Sequence, residues 1–304
     1  MTVVARVETP LPVPRTLWNV ARDLASLTKP RITVLLEVIT LAAMVMAARG
    51  MPRSETLLAT LAGGWLMAAG ANVINCWFDR DIDLVMGRTR RRPLPDGRID
   101  PAAALGFGVV LGLAAFTLLA LAVNLLAAVL ALGGLLFYVL VYTVWLKRST
   151  SQNIVIGGAA GAIPPMVGWA AVTGHVGITA LFLFAVVFYW TPPHFWALAL
   201  LIRSDYARAG VPMLPVVAGP QRTRQQIVLY TVLLVVVTAL PVLSGAFGAV
   251  YASGAGILDA GLLAQSLVAV RSGNARSARR LYVWSIVYLA LLFAVMAADR
   301  VIGS

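Results

Sequence analysis

Nine long apolar runs separated by polar breaks set the pattern of this chain. Windows apolar enough to cross about 30 Å of hydrocarbon lie at 32–49, 56–78, 102–121, 124–144, 153–172, 177–200, 226–245, 248–270 and 281–298. The pattern predicts an all-α, polytopic membrane protein of about nine transmembrane helices, surrounding a cavity open to the cytoplasmic face. Residues 1–31, polar and proline-bearing, are expected to form a cytoplasmic N-terminal tail, and 32–304 a single transmembrane domain, because no linker or low-complexity tract interrupts them. Alternate breaks differ in length: those near Val123, Thr173–Val176 and Ala246 are minimal, whereas 79–100 and 201–225 are long. Binding and catalytic groups are expected on the long-loop face.

Composition agrees. The chain is 60% apolar and 12% charged, with a mean hydropathy of +0.88, which excludes an ordinary soluble domain. Its net charge of +12 falls in clusters between apolar runs, so the lipid bilayer and anionic substrates are the expected partners and nucleic acid is not. Of the 24 basic residues, all but Arg49, Arg53 and Arg300 fall on the side of the N-terminal tail and the long loops. The positive-inside rule then places the N-terminus in the cytoplasm and the C-terminus outside, across a cell inner membrane, or a mitochondrial one in a eukaryote. No signal-peptide core precedes the first span. The single cysteine, Cys76, rules out an intrachain disulfide and any multi-cysteine metal site.

The stretch Asn72–Pro95, NVINCWFDRDIDLVMGRTRRRPLP, concentrates the candidate chemistry. It carries Asp79, Asp81 and Asp83 in a chain with 12 acidic residues, then Arg88, Arg90, Arg91 and Arg92. Asn75, Asp79 and Asp83 are four apart and share a helix face, with Asp81 pointing away. Two carboxylates and an amide oxygen suit a hard divalent ion such as Mg²⁺, and arginines beside them suit a metal-bridged diphosphate. The alternative is an interfacial charge cluster in which the carboxylates pair with Arg80 and the loop arginines.

N-x-x-x-D-x-x-x-D at Asn75, Asp79 and Asp83 resembles the first aspartate motif of the UbiA superfamily of intramembrane prenyltransferases. DRDIDLVMGRTRRRPLP (79–95), YTVWLKRSTSQNIVIGGAAGAIPPMVGW (142–169), WTPPHFWALAL (190–200) and DYARAGVPMLPV (205–216) are similar to its protohaem IX farnesyltransferase (haem O synthase) branch, in the same order. The resemblance implies transfer of farnesyl from farnesyl diphosphate to a vinyl group of haem B, with water completing haem O. It also implies Mg²⁺ as cofactor on Asn75, Asp79 and Asp83, with Asp205 on the second loop. That loop offers one carboxylate where the superfamily has two or more, so the second metal's ligands stay open. Catalytic roles are implied for Asn75, Asp79, Asp83, Lys147 and Tyr142, and substrate contacts for Arg80, Arg148, Asn153, Trp190, His194, Asp205, Tyr206 and Arg208. A haem A synthase or the terminal-oxidase assembly is the protein partner such a product suggests.

Several residues keep a second reading. Lys147 alone reads as a snorkelling residue, Asp205 as a surface pair with Arg203 or Arg208, and Asn153 equally as a helix cap. His194, in the cytoplasmic half of the sixth span, is expected to meet haem as axial ligand or through a propionate; otherwise it is a buried histidine bonded to a carbonyl. His175, in an external turn, is expected to be structural. GGAAGA (157–162) is expected to allow close helix contact. Two rival functions remain open: a prenyltransferase acting on a quinone or chlorin precursor, and a transporter or assembly scaffold. Clustering of charge at one face, not the midplane, disfavours the transporter.

Overall fold

A computed structural model of the protein describes residues 16–303. Arg6, Glu8 and Arg15, part of the charge pattern of the expected tail, lie outside the described residues. The rest of that polar segment holds a helix, α1 (Leu17–Leu27), capped by the Thr16 side chain accepting from the Asn19 amide. Val20, Leu24 and Leu27 recur at helical spacing and pack against Val73, Cys76, Leu94, Ile99 and Ala104. A membrane-length window cannot detect so short a face.

Among the described residues, nine helices are long and apolar enough to cross a membrane. They are α2 (Pro30–Ala48), α3 (Ser54–Phe78), α5 (Pro101–Ala122), a composite span, α8 (Asn153–Thr173), α9 (Ile178–Leu201), α12 (Gly219–Leu243), α13 (Ala249–Ser272) and α14 (Ala275–Ile302). The composite span joins α6 (Leu125–Leu136), a π-helical stretch Phe137–Leu146, and α7 (Lys147–Ser149). Short helices occupy the two long loops: α4 (Arg80–Val85) in one, α10 (Arg203–Arg208) and α11 (Leu214–Val217) in the other. α12 and α14 begin earlier than their apolar windows, because polar turns such as Gln221–Gln226 continue the helix past the hydrocarbon. Hydropathy marks the solvent, not the end of the hydrogen-bond ladder.

The spans form a closed succession. α3 packs along α5, α5 against α6, α6 against α8, and α8 against both α2 and α9; α9 meets α12 and α14, and α14 returns to α2. Lipid is as apolar as leucine, so association rests on close packing and buried polar contacts. A Cβ on Gly70 would lie 2.8 Å from the Gly108 carbonyl, and one on Gly168 2.5 Å from the Thr40 carbonyl. In the small-residue run, Gly157 receives the ring of Tyr142 and Gly158 the side chain of Thr191. Gly168→Ala should therefore force α2 and α8 apart, costing about 1–3 kcal/mol. Thermal unfolding in detergent checks this, and an unchanged midpoint would show that α2 yields freely.

The two ends of the bundle are finished differently. At one end Asp299 of α14 accepts from the amides of Gly248 (2.7 Å) and Tyr251 (3.0 Å), capping α13. Midway along α13, buried Asp259 accepts from Tyr288 (2.6 Å) and Thr238 (2.7 Å), tying α12, α13 and α14 beside a cavity of about 480 Å³. The opposite end gathers α1, the C-terminal ends of α3, α7 and α9, and both long loops.

Candidate active site

α3 stops at Phe78 and α4 starts at Arg80, yet the four-residue spacing survives the junction. The Asp79 amide donates to the Asn75 carbonyl and the Asp83 amide to the Asp79 carbonyl, both at 2.9 Å. Asn75, Asp79 and Asp83 consequently share one inward face, with exposures of 3%, 1% and 3%. The Asp81 side chain is 59% exposed.

Their partners are cations and one hydroxyl. The Asn75 amide nitrogen donates to Asp79 Oδ2 (2.8 Å) and to Thr143 Oγ1 (3.0 Å), and its Oδ1 accepts from Lys29 Nζ (2.7 Å). Lys147 Nζ donates to Asp79 Oδ2. Arg92 Nη1 donates to Asp83 Oδ2 at 2.7 Å. Asp79 Oδ1 is buried without a hydrogen bond; Arg148 Nη2 stands 3.7 Å away, too long for one. Charges this deep are costly unless paired, which explains why each carboxylate has an ammonium or guanidinium beside it.

The second long loop closes on the first. A Cβ on Gly87 would lie 3.6 Å from both Asp205 Oδ1 and Arg208 Nη2, and Asp205 accepts from Arg208. Tyr206 sits in this seam: burial raises its phenol pKa, the charges of Arg88 and Arg92 lower it, and Asp79 and Asp205 raise it. One hydroxyl thus feels groups from both loops. Arg88, Arg91 and Arg92 also line a basic pocket of about 320 Å³ with Arg22, Asp23, Ser26, Pro93 and Arg98.

Other residues expected at the site are held elsewhere or by different contacts. Arg80 points outward, donating to the Trp77 carbonyl (2.8 Å) with its guanidinium over the Trp77 ring. Arg148 grips Asp81 through two bonds of 2.7 Å and lies over Phe78. The hydrogen bond from Arg148 lowers the Asp81 pKa to about 2. A depressed carboxylate pKa stabilises the fold above the unfolded value near 4, and that contribution disappears as pH falls from about 4 to about 2. The pair is exposed, so Asp81→Asn should cost under about 1 kcal/mol at neutral pH. Thermal unfolding of the variant from pH 7 to pH 2 should also lack the parent's loss over that window.

Asn153 begins α8 fully buried, and neither its amide oxygen nor its nitrogen has a hydrogen-bond partner, so the helix-capping alternative is not what the structure displays. Tyr142 stacks on Tyr138 at 5.4 Å and leans on Gly157. His194 is sandwiched between Trp190 (4.3 Å between centroids) and Tyr282 (4.9 Å). Its Nδ1 is 2.8 Å from Ser285 Oγ. With the Ser285 hydroxyl assigned as donor to the Tyr282 carbonyl, the hydrogen-bond network assigns the proton of the neutral ring to Nδ1 and leaves Nε2 as an acceptor. Trp190 donates to the Ser285 carbonyl at 2.7 Å, fixing the same group of side chains. His175 sits at the other end, exposed, with Nδ1 3.0 Å from the Thr173 carbonyl.

Sequence reasoning passed over Lys29, Arg88, Arg92 and Thr143 as individual site residues. Lys29 adopts φ 51° and ψ 57°, an uncommon left-handed conformation for a residue with a side chain, in the turn between α1 and α2. That turn is anchored by the Thr28 carbonyl accepting from Asn72 at 3.1 Å. A single arginine run does not reveal which guanidinium turns inward, and a lysine before a span reads as a topology marker.

A hard divalent cation fits this donor set. The available groups are the oxygens of Asn75, Asp79 and Asp83, one Asp79 oxygen is unbonded and buried, and Mg²⁺ characteristically takes few protein oxygens beside water and phosphate. Among the described residues no three His, Cys, Asp or Glu side chains converge as a metal group, so Asn75 is needed as the third donor.

Comparison with known proteins narrows the setting. The family model described as UbiA prenyltransferase family matches residues 37–294. A protein of Roseiflexus sp. (strain RS-1) named protoheme IX farnesyltransferase is 53% identical over 284 residues, covering 93% of this chain and 53% of its own length. The chain thus spans about half the length of that relative and of those from Roseiflexus castenholzii and Chloroflexus aurantiacus. The Gloeobacter violaceus protein of the same name is 52% identical and covers 99% of this chain and 98% of itself. The solved structure of a digeranylgeranylglyceryl phosphate synthase superposes with a TM-score of 0.76 at 18% identity, over 92% of this chain and 98% of that one. A UbiA homolog from Archaeoglobus fulgidus, bound to DMAPP and Mg²⁺, gives 0.67 at 17% identity, over 90% and 99%. These two share the fold. With a family model that matches residues 37–294 and a relative 52% identical that aligns over 98% of its own length, the chain belongs to the UbiA prenyltransferase family.

Proposed function

We propose that this protein transfers a farnesyl group from farnesyl diphosphate to a vinyl group of haem B, with addition of water, giving haem O and diphosphate. One observation carries the reaction type: a buried amide–carboxylate face, Asn75, Asp79 and Asp83, surrounded by Lys29, Arg92 and Lys147. The choice of haem rests on relatives about half identical over nearly all of the chain, which bear the name protoheme IX farnesyltransferase.

The chemistry requires an allylic C–O bond to break with its electron pair leaving on diphosphate. The farnesyl cation accepts the vinyl π pair, forming a C–C bond, and the resulting cation takes up water and releases a proton. The demanding part is stabilising the departing charge. Mg²⁺ held by Asn75, Asp79 and Asp83, with Asp205 a candidate ligand to a second ion, would supply Lewis acidity toward the phosphate oxygens. Lys147, Lys29, Arg88 and Arg92 supply the ammonium and guanidinium donors that phosphate oxygens need, and Asn153 offers an unsatisfied buried amide. Arg208 and Tyr206 reach the same seam from the second loop. Tyr138, Tyr142 and Tyr206 present rings toward which a carbocation is attracted and exclude water from it. Trp190 and Tyr282 hold His194 flat, with the Nε2 lone pair available to the iron of the tetrapyrrole; a propionate contact would instead require the proton on Nε2. Arg80 and Arg148, which face Trp77 and Asp81, act on the loop that carries the carboxylates.

The basic loops are proposed to face the cytoplasm and the C-terminus the opposite side of a cell inner membrane, in keeping with the charge imbalance. Purified protein incubated with haem B, farnesyl diphosphate and Mg²⁺ should yield haem O by mass. Absence of that product, or prenylation of a quinone or chlorin precursor instead, would overturn the haem assignment.

A further inference from the structure

The Asn75 side chain is held by both hydrogens of its amide, and one of the two acceptors is a threonine that no catalytic role accounts for. Thr143 is fully buried within the π-helical stretch Phe137–Leu146. Its hydroxyl donates to the Tyr138 carbonyl five residues back, at 2.8 Å. In the α-helical spans buried Thr191 and Thr231 return their hydroxyls only four residues, to Val187 and Ile227. The wider turn therefore sets where this hydroxyl points, consistent with the functional placement typical of π-bulges.

Because the single hydroxyl hydrogen is committed to Tyr138, Thr143 Oγ1 can only accept from Asn75. The Asn75 NH₂ group must then face Thr143 and Asp79, and Oδ1 must face the opposite way, where it accepts from Lys29. An asparagine with its amide reversed would present NH₂, a donor, to a cation. We propose that Thr143 is a positioning residue: through the chain Tyr138 carbonyl, Thr143 hydroxyl, Asn75 amide, it adds a second acceptor beside Asp79 that keeps the Asn75 NH₂ turned away, and so holds Oδ1 as a cation ligand when a divalent ion takes the place of Lys29. The inference rests on the reading of Asn75 as a ligand to the divalent ion.

The test is Mn²⁺ binding to the full chain in detergent, followed by electron paramagnetic resonance with inorganic diphosphate present and no turnover. Thr143→Val keeps the side-chain volume and removes the acceptor, so Mn²⁺ affinity should fall about 10–100-fold, as losses of outer hydrogen-bond partners do. Thr143→Ser restores the acceptor and should bind within about twofold of the parent. Thermal unfolding reports packing separately. Parental affinity in a folded Thr143→Val protein, or equal losses in Thr143→Val and Thr143→Ser, would overturn the proposal. Asn75→Ala distinguishes the two levels: if it too binds Mn²⁺ like the parent, the ligand reading of Asn75 fails and Thr143 has nothing to orient. Weak binding by Asn75→Ala with parental binding by Thr143→Val sinks the positioning role alone.

Discussion

Asp79→Asn is expected to lower kcat for prenyl transfer by about three orders of magnitude, at the upper end of what one charge-stabilising group contributes. Asp79 is the most buried of the three carboxylates in its loop and keeps one oxygen free of hydrogen bonds. The substitution preserves shape and retains an oxygen for Lys147 and Asn75, so the fold should survive. What it removes is the formal charge that draws a divalent ion into an apolar environment. Formation of haem O from farnesyl diphosphate, assayed over a range of Mg²⁺ concentrations, measures the effect. A variant within tenfold of the parent at every Mg²⁺ concentration would show that Asp79 is a structural partner of Lys147. Asp83→Asn should have a smaller effect, because Arg92 already compensates much of that charge.

Lys147→Met should produce the largest loss of stability, about 3–5 kcal/mol, because it removes the cation hydrogen-bonded to the buried Asp79 carboxylate and leaves only Arg148, 3.7 Å away and too far for a hydrogen bond. The methionine occupies similar volume and cannot repair the charge. Combining it with Asp79→Asn removes both charges, so the double variant should unfold at a higher temperature than Lys147→Met alone while remaining inactive. That non-additivity is what coupling within a buried pair predicts. Additive midpoints in detergent would mean that Lys147 snorkels to the interface and contributes nothing to Asp79. Turnover by the single variant discriminates further, since a cation needed only for stability would leave the folded fraction active.

The same cations that neutralise the carboxylates here carry the donors that a diphosphate needs. Lys29 and Lys147 are ammonium groups on flexible stems, able to change partner without moving backbone, whereas Arg92 is a planar fork suited to two oxygens at once. Their concentration on inward faces makes the end of the bundle near α1 and the long loops a cradle for an anion arriving with its metal. α1 contributes by anchoring the turn that delivers Lys29, through the packing of Leu27 against Val73, Cys76 and Leu94 and the hydrogen bond from Asn72 to the Thr28 carbonyl.

The sequence by itself determined the class, the span count, and the residues of the first aspartate motif. Those properties are written in transfer free energy and in helical spacing, both of which act locally. Nine apolar runs must become helices because the bilayer offers no other hydrogen-bond partner, and residues four apart must share a face. The tertiary structure alone decided which cations turn inward. Nothing local separates Arg92, bonded to Asp83, from Arg90 and Arg91 beside it, or makes Lys29 a partner of Asn75 forty-six residues away. Nor does local sequence place Thr143 beneath Asn75, because that contact depends on a π-helical turn and on how α3 meets the composite span. Long-range electrostatic pairing is a property of the packed bundle, where burial makes an unpaired charge too costly to leave.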